Sequence, residues 1–190
     1  MVLADTVANT PNKPPGAGKE PTSLALSIPE NANWYVLQIT PNRDELACKH
    51  LELNGIPSYS PTCTPFGAAR EQRLLPGYVF ASLRMPEDFG AVQANPYALW
   101  ILGAGRSPIP VPDAEVHWIR QMAAQRSAEP YGGAAEGDWV RVRHGPMVGI
   151  EGRVVRTRGA LRLAVEVTIL GRGVSVEIDR RDCELLRRRP

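Results

Sequence analysis

Long apolar runs are missing from this chain: none approaches the roughly 18 residues needed to cross a bilayer, so no membrane role is expected. The opening MVLADTVANT has no basic segment followed by a sustained apolar stretch. A secretory signal is therefore not expected, and a cytoplasmic protein is. Cysteine is scarce: Cys48, Cys63 and Cys183 are odd in number, widely spaced and without a CxxC pair, which argues against a disulfide framework and a zinc site. His50 lies two residues from Cys48 with no second ligand pair to follow, and His117 and His144 are isolated. No metal or cofactor is expected. The GxSxG, GK[ST] and HExxH patterns are all absent, and with them the local signatures of a hydrolase, a phosphate loop and a metalloprotease. GAGRSP (103–108) follows a strand candidate, but Pro108 and IPVPD block the helix that would hold a phosphate. An enzyme is not expected.

What is present is an ordinary globular composition, 43% hydrophobic and 22% charged over 190 residues, enough for two small domains. The net charge of +2 is uneven: residues 137–190 hold 12 arginines against 7 acidic residues, a net of +5 that leaves −3 elsewhere. A basic C-terminal half favours contact with nucleic acid, although arginines alternating with apolar residues also describe a solvated sheet face. Residues 1–32, with PNKPPGAGKEP, read as a disordered tail.

Order is expected from NWYVLQI (33–39), a β-branched and aromatic strand. TPNRDELACKHLELNG reads as a helix with Asn42 as N-cap, Glu45 completing a capping box, and Asn54-Gly55 closing it. Residues 56–64 hold prolines at 57 and 61 and suit only an edge strand. After the polar loop PFGAAREQR, LLPGYVF (74–80) sets a Pro-Gly break before an apolar run. That run places Tyr78, Phe80 and Ser82 on one face and Val79, Ala81 and Leu83 on the other, a central strand or one that meets a partner. PEDFGAVQA suggests a short helix, YALWIL a strand, and DAEVHWIRQMAAQ a helix capped by Asp113. Val116, Ile119, Met122 and Ala123 share a face of that helix and Trp118 lies opposite, to cover a loop, dock a second domain or stay partly exposed. Helices packed on a largely antiparallel sheet make this unit α+β over 33–126.

RSAEPYGGAAEG breaks the pattern, and 127–136 are expected to be a linker. Beyond it the period becomes 2 in WVRVR, LRLAVEV and VSVEI, punctuated by glycines. Some five short strands over 137–188 predict a small barrel.

The WY of NWYVLQI, the PGYVF strand, GDWVRVRHGPMVGIEGRVV and ILGRGVSVEI, in this order across a linker, resemble the NusG family of bacterial transcription factors. The resemblance covers about 33–188 and implies an NGN domain followed by an SH3-like five-stranded KOW barrel. It also implies a monomeric elongation factor that binds the clamp helices of the largest RNA polymerase subunit through an apolar patch. The matching positions are Tyr35, Leu75, Tyr78 and Phe80, with Leu99 and Ile101 as neighbours. Arg43, Arg70 and Arg73 are the candidates for contact with the displaced non-template DNA strand. The loop residues Pro146, Met147, Val148 and Ile150 match the surface that meets the termination factor Rho or a small-subunit ribosomal protein. The chain departs from the housekeeping pattern at Leu75 and Met147, where aromatics are common, and in the short loop before LLPGYVF. Those departures point to a specialised RfaH-like antiterminator of polysaccharide operons. A general NusG, or a ribosome- or RNA-binding KOW protein, is the alternative.

Overall fold

Residues 31–104, 107–132, 137–157 and 160–187 are described in the computed structural model. The tail expected over 1–32 lies outside them, apart from its last two residues. Strand β1 (Asn33–Ile39) is followed by α1 (Asp44–Leu53), then β2 (Ser58–Tyr59), β3 (Thr62–Cys63), β4 (Gln72–Arg73) and β5 (Tyr78–Leu83). Next come α2 (Phe89–Gln93), β6 (Ala98–Ile101), β7 (Gly103–Ala104), β8 (Ser107–Pro108) and α3 (Asp113–Ala123). β1, β2, β5 and β6 form one sheet in the order β2-β5-β1-β6, antiparallel throughout. The prolines around β2 confine it to the edge, as their missing donors require. β5 is internal, and Val79 to Leu83 are buried on both of its faces.

Both faces are buried because helices cover each. Tyr35, Leu37, Ile39, Val79, Ala81 and Leu83 pack with Ala47 and Leu51 of α1 and Val92 of α2. On the other face Trp34, Val36, Tyr59 and Phe80 pack with Val116, Ile119 and Met122 of α3. Asn42 does not cap α1. It has a φ of +62, and Arg43 and Pro112 hold the cap positions of α1 and α3, neither with a side-chain cap bond. Asp44 and Asp113 are instead the first helical residues, where a carboxylate faces the positive end of the helix.

The second sheet contains β9 (Glu129–Gly132), β10 (Trp139–Val142), β11 (Glu151–Thr157), β12 (Ala160–Val167), β13 (Arg172–Glu177) and β14 (Cys183–Arg187). Its order is β14-β10-β11-β12-β13-β9. A 3₁₀ turn at Arg180–Asp182 carries the last strand back beside β10. Five of these strands follow the succession of a small barrel. The sixth corrects the linker reading: Glu129–Gly132 pair antiparallel with Ser175–Arg172. A proline and two glycines hid this strand, but a strand at a sheet edge needs donors on one side only, and there proline is tolerated.

α3 also packs on the second sheet. Trp118 and Ala123 join a single apolar cluster that runs from Trp34 to Val165, Val174 and Val176. Trp118 lies beside the second unit and is half-buried there, so it both docks and stays partly exposed.

Candidate partner-binding surface

The Pro-Gly break is a tight turn. Pro76 and Gly77 are its central residues, Gly77 has a φ of +84, and the Tyr78 N–H donates to the Leu75 carbonyl at 3.2 Å. Proline first and a left-handed glycine second is the chemistry a type II turn requires. The turn is pinned from two sides: the Gly77 N–H reaches Asp44 Oδ1 at 3.4 Å, and the Ile39 N–H donates to the Gly77 carbonyl at 3.0 Å. Asp44 is itself buried and pairs with Arg73 at 2.9 Å. One carboxylate thus ties the start of α1, the turn and the β3–β4 hairpin together.

The turn places Leu75 and Tyr78 side by side, and strand register extends the set. Tyr78 and Trp100 both lie directly opposite Gln38, on β5 and β6 respectively. Directly opposed residues share a face, so Tyr78, Gln38 and Trp100 form a row across three strands. Trp100 is 54% exposed, Tyr78 is half-buried, and the half-buried Leu102 follows on the same face. Trp100 is absent from the sequence candidates, yet the alternation in ALWIL already sets it opposite Ile101.

The six apolar candidates are therefore not one patch. Phe80 is fully buried and stacked on Tyr59, with ring centroids 5.2 Å apart. Tyr59 in turn meets Trp34 edge-on at 6.2 Å, and the Arg120 guanidinium lies 4.6 Å from the centre of each of these two rings. Phe80 is a core residue of the α3 side. Tyr35 and Ile101 belong to the opposite face with α1, Tyr35 buried and Ile101 half-buried. Leu99 is exposed at the irregularity where the β1–β6 register shifts. Leu75 is buried at the floor of a groove of about 290 Å³. Tyr78 forms one wall of that groove, and Pro130, Tyr131 and Leu170 of the second unit form the other.

The three candidate cations also differ. Arg43 and Arg70 are exposed, whereas Arg73 is committed to Asp44. At the tip of the β3–β4 hairpin Phe66 is exposed, with the Arg126 guanidinium 4.7 Å from its ring centre. In the β10–β11 loop Met147 and Ile150 are buried in the barrel core, so Pro146 and Val148 are the residues that face outward. None of the thiols is poised for chemistry: burial pushes Cys48 up to about 12 and raises Cys63 and Cys183 as well.

A family model described as "Transcription termination factor nusG" matches residues 32–120. The transcription termination/antitermination protein NusG of Thermus thermophilus is 31% identical over 121 residues, 57% of this chain and 65% of its own length. The alignment thus spans slightly under two thirds of that relative. The protein of the same name from Buchnera aphidicola is 29% identical over 176 residues, 82% of this chain and 97% of its own. Among solved structures, one of Thermotoga maritima NusG has a TM-score of 0.49 at 24% identity, covering 82% of this chain and 97% of that one.

Proposed function

We propose that this chain, which is similar to the NusG transcription termination/antitermination proteins, is an elongation and antitermination factor of that kind that binds RNA polymerase through its N-terminal unit. The observation that carries this reading is the row of Tyr78, Gln38 and Trp100 beside Leu75. It sets an exposed tryptophan and a half-buried tyrosine on one face of the sheet, with a buried leucine behind them. Rigid aromatics over a packed base are the side chains on which interface energy concentrates. The clamp helices of the largest polymerase subunit are the assigned partner of this row. Arg43 and Arg70 are the assigned contacts to the displaced DNA strand, and Arg73 has a structural duty to Asp44.

Specialisation is the finer part of the proposal. Met147 turns into the barrel core, so the loop offers Val148 and Pro146 to Rho or a ribosomal protein in place of an aromatic side chain. Together with the short loop PFGAAREQR (65–73), this favours a factor for particular operons over a general one.

The test is equilibrium binding of the full chain to core RNA polymerase, paired with read-through of a terminator in single-round transcription. Tyr78→Ala and Trp100→Ala should each weaken binding about 30-fold, as the loss of a hot spot of about 2 kcal/mol implies, with a cooperative unfolding transition retained. Recovery of the wild-type protein with ribosomal subunits and never with polymerase would overturn the reading.

A further inference from the structure

The groove floored by Leu75 carries chemistry that the row of Tyr78, Gln38 and Trp100 does not. Its volume of about 290 Å³ lies just below the roughly 300 to 1,000 Å³ of cofactor and small-molecule pockets. It has room for one or two side chains, not for a cofactor. One wall is set by the Pro76-Gly77 turn, which the Asp44 contact holds in place. The other is set by pairing within the second sheet, where Pro130 and Tyr131 of β9 lie opposite Val174 and Gly173 of β13. Tyr131 packs on the buried Val155 and Ala164, and Leu170 packs on the main apolar cluster, so both are anchored. Gly171, with a φ of +57, turns the chain into β13 and brings Arg172 to the groove. Arg172 is the one charged residue that lines it, is exposed, and forms no ion pair among the described residues. An apolar groove is thus served by a single uncommitted guanidinium.

We propose that this groove recognises a partner segment in which an apolar side chain stands next to a carboxylate. The apolar group seats over Leu75 between Tyr78 and Leu170, and the carboxylate pairs with Arg172. Charge complementarity selects the acid: a guanidinium presents a planar fork of donors that matches a carboxylate with two parallel bonds. A nucleic-acid strand is held by several phosphate contacts, whereas the groove offers one cation between apolar walls. The groove is continuous with the aromatic row through Tyr78, so the assignment of its occupant to polymerase rests on the function proposed above. Leu170 and Arg172 are then specificity determinants that the second sheet adds to a surface otherwise built by the first. Burial of the apolar group supplies affinity, and Arg172 discriminates against a segment with a neutral or basic residue at the paired position.

The experiment is a chemical-shift titration of the full chain with two capped dipeptides, acetyl-leucyl-glutamate amide and acetyl-leucyl-glutamine amide. Both should shift the Leu75 and Leu170 methyls. The glutamate peptide should also shift the Arg172 amide and bind about 3- to 5-fold tighter, the effect of one exposed ion pair. In Arg172→Gln, at an exposed position, the two peptides should bind alike. The proposal is overturned if the wild-type protein shows no shifts at the groove, if it binds both peptides equally, or if Arg172→Gln keeps the preference. A second arm measures equilibrium binding to core RNA polymerase. There Arg172→Glu should weaken binding about 10-fold, because an attraction becomes a repulsion, and Arg172→Lys should lose less. Unchanged affinity in Arg172→Glu overturns the assignment of the groove to polymerase. A wild-type protein that binds no polymerase sinks the function proposed above, and the peptide titration still decides the groove.

Discussion

Replacing Phe80 by alanine separates core from contact at the one position where the two readings differ most. Its side chain is fully buried, stacks on Tyr59 and sits beneath α3. Removing a buried phenylalanine from a site that cannot collapse costs about 3 to 5 kcal/mol, and three surrounding elements hold this site open. A loss of about 4 kcal/mol lowers the folding constant by roughly three orders of magnitude, close to the whole stability of many domains. The thermal midpoint should fall by about 8 to 16 °C for a chain of this size. Urea unfolding followed by circular dichroism measures it, and the midpoint should move with the slope unchanged. Leu99→Ala, at an exposed position, is the control and should stay within about 0.5 kcal/mol. A Phe80→Ala protein that keeps its stability within about 1 kcal/mol yet no longer binds polymerase would refute the reasoning, because Phe80 would then be a contact and not core.

Gly77→Ala meets no atom within 4 Å but must hold a φ of +84, so backbone strain alone should cost about 1 to 2 kcal/mol, read by the same urea titration. The thiols should react with a chromogenic disulfide reagent in the order of their exposure. Cys183 modifies in the native state, while Cys48 and Cys63, buried and with raised pKa values, modify only on unfolding. Asp88 is held below the usual carboxylate range, first by the hydrogen bond from the Arg84 side chain at 2.7 Å. A depressed carboxylate stabilises the fold above its unfolded value near 3.9 and loses that contribution as pH falls through the folded value. Carboxyl chemical shifts should place its titration below 3.9, and Asp88→Asn should flatten stability across that acid range.

The period-2 and helical runs carried most of the architecture, because elements that bury one side repeat at the spacing of the face they bury. α1, β5, α3 and the five barrel strands are legible for that reason. β9 is not, since Glu-Pro-Tyr-Gly has a strand's geometry only against the edge of β13, a contact some forty residues distant in sequence. The candidate surface divides in the same way. Leu75 and Tyr78 follow from the Pro-Gly turn. Trp100 needs the registers of β5 and β6 on β1, and Arg73 looks like a free cation until the buried Asp44 is placed beside it.

Helix α3 lies between two sheets and completes the apolar interior of each. Cutting the chain after its last turn, as a boundary drawn at residue 126 invites, would give an N-terminal fragment with Trp118 and Ala123 turned to water. It would also leave a C-terminal fragment with an uncovered patch on β12 and β13. Each half would then be prone to self-association for a reason the intact protein does not share. Assays on excised halves would read that new surface along with any native one, whereas point changes in the whole chain would not.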